Sequence, residues 1–261
     1  VSIYLTLTEK FNAGRVRVVV CSGQATVLHR LAMMSKDGDW IIRDDDEAFS
    51  WVLSVLAGFK AKYRLGAPLD RRWLSGGWSS HFEFFLEGLR VRADFFSRPP
   101  RIESEDLASL WREAENQAIP VVNLHCLAEQ KKTMREKDYP IIGALADRMT
   151  DVHQKLKYAR NAQAIIELSS KYPDLLQEAA KSRPLLLDVS KGREALEESL
   201  DRERRRFMRL DEDRLLRFSE AGAPWVAKWG LLSRDASSLE LLDAHKLLVE
   251  SATGVLPVGV L

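Results

Sequence analysis

Ser35-Lys36-Asp37-Gly38-Asp39-Trp40-Ile41-Ile42 is the stretch on which the fold turns. Two carboxylates flank a glycine and lead into an apolar run. Side chains two apart on a strand share a face, so the spacing predicts that Asp37 and Asp39 point to one side. Upstream, Arg17-Val18-Val19-Val20-Cys21 is rich in β-branched residues and reads as a buried strand, closed by Ser22-Gly23. Gln24 to Met34 then reads as a helix, with Ala25, Leu28, Leu31 and Ala32 at near-helical spacing. Leu89-Arg90-Val91-Arg92-Ala93-Asp94-Phe95-Phe96 is a further strand. Pairing beside the first acidic strand, it brings up a third carboxylate, Asp94. Three such side chains can hold two divalent cations, and two cations can organise a triphosphate.

An Asp-x-Asp triplet by itself says little, because aspartate is common in turns. Asp44-Asp45-Asp46 illustrates this: it reads as the start of the next helix, where carboxylates favour the positive end of the dipole. Order gives the first pair its meaning: strand, Ser-Gly, helix, acidic strand, then a later strand with Asp94. A turn near Glu87-Gly88 joins Ser79–Phe85 to that later strand as a hairpin. His81 and Glu83 then share a face, either lining a pocket or meeting solvent. Ser97-Arg98-Pro99-Pro100-Arg101 ends the sheet, since proline removes ladder donors.

Residues 16 to about 101 resemble the nucleotidyltransferase core of the polymerase-β-type superfamily, nearest the small bacterial branch that includes abortive-infection toxins. The resemblance rests on Val18–Ala25, Leu28-His29-Arg30, Ser35–Asp39 and Arg92-Ala93-Asp94. Lys131-Lys132-Thr133-Met134-Arg135-Glu136-Lys137-Asp138-Tyr139 is similar to the helical basic segment that follows the core in that branch. It implies metal-dependent transfer of a nucleoside monophosphate from an NTP to an acceptor hydroxyl on tRNA, a protein or a small molecule, with an antitoxin protein as a possible partner. Asp37, Asp39 and Asp94 are then the catalytic residues and ligands of two Mg2+ ions, with Mn2+ as a substitute. Ser22 and Gly23 meet the terminal phosphates, and Lys131 or Lys132 neutralises the triphosphate; for the two lysines a surface helix face is the equal alternative. One departure stands out: Ser22 occupies a position where the superfamily carries glycine, which reaches φ > 0 freely. Either the loop is shifted by one residue or the nucleotide pocket is altered.

The fold class expected is α+β: a nucleotidyltransferase-type mixed sheet flanked by helices over residues 1–102, then an α-helical region over 103–261. Helices are expected at about 104–116, 124–135, 138–149, 151–171, 174–182, 191–209, 211–220 and 236–251, with breaks at Pro173, Pro184 and Pro224. Arg202–Arg209 is densely basic, but acidic neighbours make it a solvated face more readily than an RNA-binding one. The net charge of +1 gives no global pull toward nucleic acid. Cys21 and Cys126 lack metal-ligand spacing and read as buried thiols of a reducing, cytoplasmic setting. No run of about 20 apolar residues is long enough for a membrane span. Two alternatives remain: a catalytically silent nucleotidyltransferase fold used as a binding module, and a glycosyltransferase holding Mn2+ on Asp37-Gly38-Asp39, for which too few residues precede the motif.

Overall fold

The computed structural model describes residues 2–260. Its fold is α+β, a mixed five-stranded sheet flanked by helices with a long helical region toward the C-terminus. The chain divides into two compact units. One comprises the residues up to Val122 together with those from Leu216 onward; the other is Asn123–Leu215. The segment after residue 102 therefore contributes to both.

In the first unit, helix α1 (Ile3–Phe11) precedes strand β1 (Val18–Val20). The β-branched look of Ile3-Tyr4-Leu5-Thr6-Leu7 hides this helix, but Tyr4, Leu7 and Phe11 recur at helical spacing and are buried. Helix α2 (Ser22–Leu28) follows, shorter than its apolar spacing predicts, and leads to β2 (Gly38–Ile42). Asp45 caps α3 (Asp46–Gly58) by accepting from the Ala48 amide, as expected for that acidic run. Strand β3 (Lys62–Tyr63) and helix α4 (Arg71–Leu74) come next. Strands β4 (Ser80–Leu86) and β5 (Leu89–Phe96) form the hairpin. Glu87 at φ +50° and Gly88 at φ +78° make its two-residue turn, the left-handed pair that matches strand twist.

The sheet order is β1-β2-β5-β4-β3. Strand β2 runs parallel to β5, and the other neighbours are antiparallel. The β2–β5 pairing sets Asp39 opposite Asp94 and Trp40 opposite Phe95. Trp40 and Phe95 stack with ring centroids 5.4 Å apart, and Phe11 meets both edge-on. That aromatic packing buries one face of the sheet and leaves Asp39 and Asp94 on the other.

The C-terminal part of this unit closes the core. Trp225 is buried and donates its indole N–H to the Gly66 carbonyl. Pro224 does not break the chain: helix α11 is continuous over Arg193–Ser238, where two helices were expected. Helix α12 (Leu241–Ala252) brings His245 against β3. The Leu69 amide donates to the Tyr63 hydroxyl, which lies 2.8 Å from His245 Nδ1. Burial keeps the Tyr63 proton on its oxygen.

Burial also pushes His245 below its ordinary 6.5, with Asp70 opposing and Arg72 assisting. A depressed histidine leaves the unfolded chain holding more protons between the folded and unfolded values, so stability rises with pH there. The contribution is complete above 6.5 and falls away as pH drops below it. Denaturant midpoints are expected to decline on acidification through that window, and His245→Gln to flatten the decline. An equal slope in wild type and variant would contradict this.

The second unit is helical: α6 (Leu124–Gln130), α7 (Tyr139–Arg148), α8 (Val152–Tyr158), α9 (Ala162–Lys171) and α10 (Pro173–Ser182), with the start of α11; α5 (Ser104–Ala114) belongs to the first unit. The helix expected over 151–171 is two, because Asn161 caps α9 afresh by accepting from the Ala164 amide. Leu156, Ile165, Leu186 and Leu196 form its core. Among the described residues no helix is long and apolar enough to cross a membrane.

Candidate functional site

The solvent-side face of the sheet is built by strand alternation. On β5 the buried Val91, Ala93 and Phe95 alternate with Arg92 and Asp94. The hairpin register sets His81 opposite Asp94 and Glu83 opposite Arg92. Asp39 on β2 flanks Asp94 from the other side. The face thus carries two carboxylates side by side, with cations and a histidine around them.

Asp37 sits just ahead of β2, half-exposed, with its Oδ1 3.4 Å from Arg92 Nη1. Gly38 packs so closely that a Cβ there would stand 2.4 Å from the Trp40 ring and 2.5 Å from the Tyr4 ring. The glycine between the two carboxylates is therefore a packing requirement. Tyr4 donates its hydroxyl to the Lys36 carbonyl at 2.6 Å. Its pKa is raised by burial first and then by the charge of Asp37, with Asp39 and Asp94 adding to it against the Arg92 amide. One phenol feels all three carboxylates, which ties them to a common neighbourhood. Even so, among the described residues no three His, Cys, Asp or Glu side chains are gathered into a metal-holding group.

The Ser22-Gly23 turn opens α2. Ser22 adopts φ +50°, the left-handed region that costs a non-glycine residue about 1–2 kcal/mol. The chain thus keeps the backbone shape that glycine favours. Gly23 is pressed on Ser35, whose Oγ would lie 2.3 Å from an added Cβ. Gln24 donates to the carbonyls of Ser35 and Asp37, and the Cys21 amide donates to the Asp39 carbonyl. These bonds fix the turn and the acidic loop to each other.

Asp94 has the most unusual surroundings. His81 Nδ1 stands 2.9 Å from its Oδ1, and Arg64 Nη1 3.6 Å. Neither is aligned for a hydrogen bond, so this buried oxygen has no hydrogen-bond partner among the described residues. Two residues earlier on the same face, the buried Arg92 Nε–H also lacks one. Ser79 Oγ lies 2.9 Å from His81 Nε2. Sequence reading brought His81 to this face and passed over Ser79 and Arg64. The signal was there: counting back from a two-residue turn pairs residue 81 with residue 94.

Lys131 and Lys132 lie in the second unit, off the end of α6. The basic segment is not helical there; a single 3-10 turn, Glu136–Asp138, leads into α7. Asp138 organises it, accepting from Lys131 at 3.3 Å, Thr133 at 2.6 Å and Arg135 at 3.0 Å. Lys132 donates to Glu129 at 2.8 Å and lies over the rings of Tyr158 and Phe207. Burial pushes its amine below the usual 10.5. Lys131 is buried and Lys132 partly buried, and both are paired with carboxylates within their unit. Cys21 and Cys126 are both buried. No family model, curated protein or solved structure matches the chain.

Proposed function

We propose that the face around Asp39 and Asp94 binds a divalent metal–NTP complex and transfers its nucleoside monophosphate to a hydroxyl. The observation that carries this reading is the pair of orphaned atoms on β5. A buried guanidinium N–H lacking an acceptor asks for an anion, and a buried carboxylate oxygen lacking a donor asks for a cation. A metal-bound triphosphate supplies both at once.

The order of elements supports the same reading: strand, Ser-Gly turn, helix, acidic strand, and a parallel neighbour delivering Asp94 in register. We read this order as that of a nucleotidyltransferase-type sheet. The donors are hard carboxylate oxygens, suited to Mg2+ or Mn2+; Asp37, Asp39 and Asp94 are the residues that would hold it. The bound metal would supply charge neutralisation at the phosphates. Arg92 and Arg64 would orient the phosphate oxygens, and His81 would take the proton of an acceptor hydroxyl beside Asp94. The Ser22 and Gly23 amides are candidates for further phosphate contacts.

Titration calorimetry with each NTP, with Mg2+ and with EDTA, tests the reading. Binding is expected only with the metal, because clustered carboxylates repel a bare triphosphate, and is expected to weaken sharply in Asp39→Asn. Equal affinity in EDTA would end it. A silent binding module would bind in the same way but transfer nothing, so labelling of cell RNA and protein by each NTP separates the two.

A further inference from the structure

We propose that Ser79 is itself an acceptor: the chain transfers a nucleoside monophosphate onto its own Ser79 hydroxyl. The inference rests on the nucleotidyl-transfer reading above and names a substrate for that site.

Three side chains stand in line on the open face of the sheet. Ser79 and His81 are two apart along the chain and project to the same side. Ser79 Oγ is 2.9 Å from His81 Nε2, and His81 Nδ1 is 2.9 Å from Asp94 Oδ1. Asp94 stands beside the ring as a charge and not as a hydrogen-bond partner, and the contact at Nε2 sets the imidazole against the serine hydroxyl, the pairing by which a histidine can take a proton from a serine oxygen. The pair is held in place. A Cβ on Gly66 would lie 2.5 Å from His81 Cδ2 and 2.9 Å from the Ser79 carbonyl, so the 66 backbone seats the ring from one side. The Arg64 amide donates to the His81 carbonyl and the Ala67 amide to that of Ser79, fixing both from the neighbouring chain.

The surroundings select the electrophile. Arg64 stands beside Asp94 and Arg92 beside Asp37, and Arg92 keeps a buried N–H without an acceptor. Guanidinium groups beside a nucleophile favour an anionic phosphoryl donor over a neutral ester. Adjacent strands lie about 4.8 Å apart, so a triphosphate seated over Asp39 and Asp94 is one strand from Ser79. In the step, Ser79 Oγ bonds to the α-phosphorus of the NTP. The bond from that phosphorus to the β-bridging oxygen breaks, and pyrophosphate departs with the electron pair. The hydroxyl proton passes to His81 Nε2 and then to water. The product is a phosphodiester linking Ser79 to the nucleoside.

The test is incubation of the full chain with each NTP and Mg2+, then proteolysis and peptide mass spectrometry. One nucleoside monophosphate is expected on the peptide carrying Ser79, lost in Ser79→Ala and formed about 10²-fold more slowly in His81→Gln. Ser75→Ala, a neighbouring hydroxyl bonded to Asp44, is expected to modify Ser79 as wild type does. Melting curves on each variant show that it is folded. An unmodified Ser79 in a protein that binds NTP only with Mg2+, and needs Asp39 to do so, overturns this inference and leaves the parent reading standing. Modification at other residues, undiminished in Ser79→Ala, also overturns it. Absence of metal-dependent NTP binding removes both.

Discussion

Asp94→Asn is expected to slow nucleoside monophosphate transfer by about 10²-fold or more while retaining most metal-dependent NTP affinity. Asp39→Asn is expected to lose both. The difference follows from their surroundings. Asp39 lies in the acidic loop that is bonded to the Ser22-Gly23 turn, the side we propose for the nucleotide. Asp94 faces His81, the side we propose for the acceptor. An amide at 94 keeps the shape of the side chain but no longer carries the charge that supports an imidazolium. The measurement pairs calorimetric affinity with the rate of label transfer. Transfer by Asp94→Asn at the wild-type rate would refute the role given to Asp94, even with binding intact.

The largest expected loss of stability lies in the helical unit. Glu203 is mostly buried, as are its partners Arg160 and Arg183. Arg183 donates to it through Nε at 3.0 Å and Nη2 at 2.8 Å, and also to the Leu156 carbonyl. Glu203→Ala leaves two guanidinium charges without their counter-ion in a dry place, at a cost of about 3–5 kcal/mol. Burial alone would raise the Glu203 pKa, but the bonds from Arg183 and the charges of both arginines outweigh it and hold the carboxyl below its usual 4.5. Its contribution is therefore present above 4.5 and lost as pH falls through the depressed folded value. Chemical denaturation across that range is expected to show the variant less stable at neutral pH and the gap narrowing in acid. A variant within about 1 kcal/mol of wild type at neutral pH would show that the cluster contributes little.

The sheet was largely legible because strand alternation and a two-residue turn are local signals. Val18–Val20 follows from its β-branched run, and the hairpin that carries Asp94 from period-two patterning. The same signals brought Asp39 and Asp94 to one face. The cations were harder to see. Arg92 and Arg64 look like ordinary strand polarity until the cross-strand register places them against Asp37 and Asp94. Helix lengths in the second half were misjudged where a tertiary anchor overrides a local breaker. Pro224 costs its helix one donor, yet Trp225 beside it is bonded to Gly66 and buried. The basic segment at 131–139 was misread for the opposite reason: Asp138 recruits its neighbours' side chains and turns the chain before a helix can continue.

Gly38 lies between the two carboxylates, but the Trp40 and Tyr4 rings decide its identity. Positions 4, 38 and 40 thus form one unit of inheritance. A larger residue at 38 becomes tolerable only after both rings have given way, so drift at these sites must proceed in a fixed order. In a descendant of this chain, a side chain at 38 would report first on lost aromatic neighbours and say nothing about whether the acidic pair still worked.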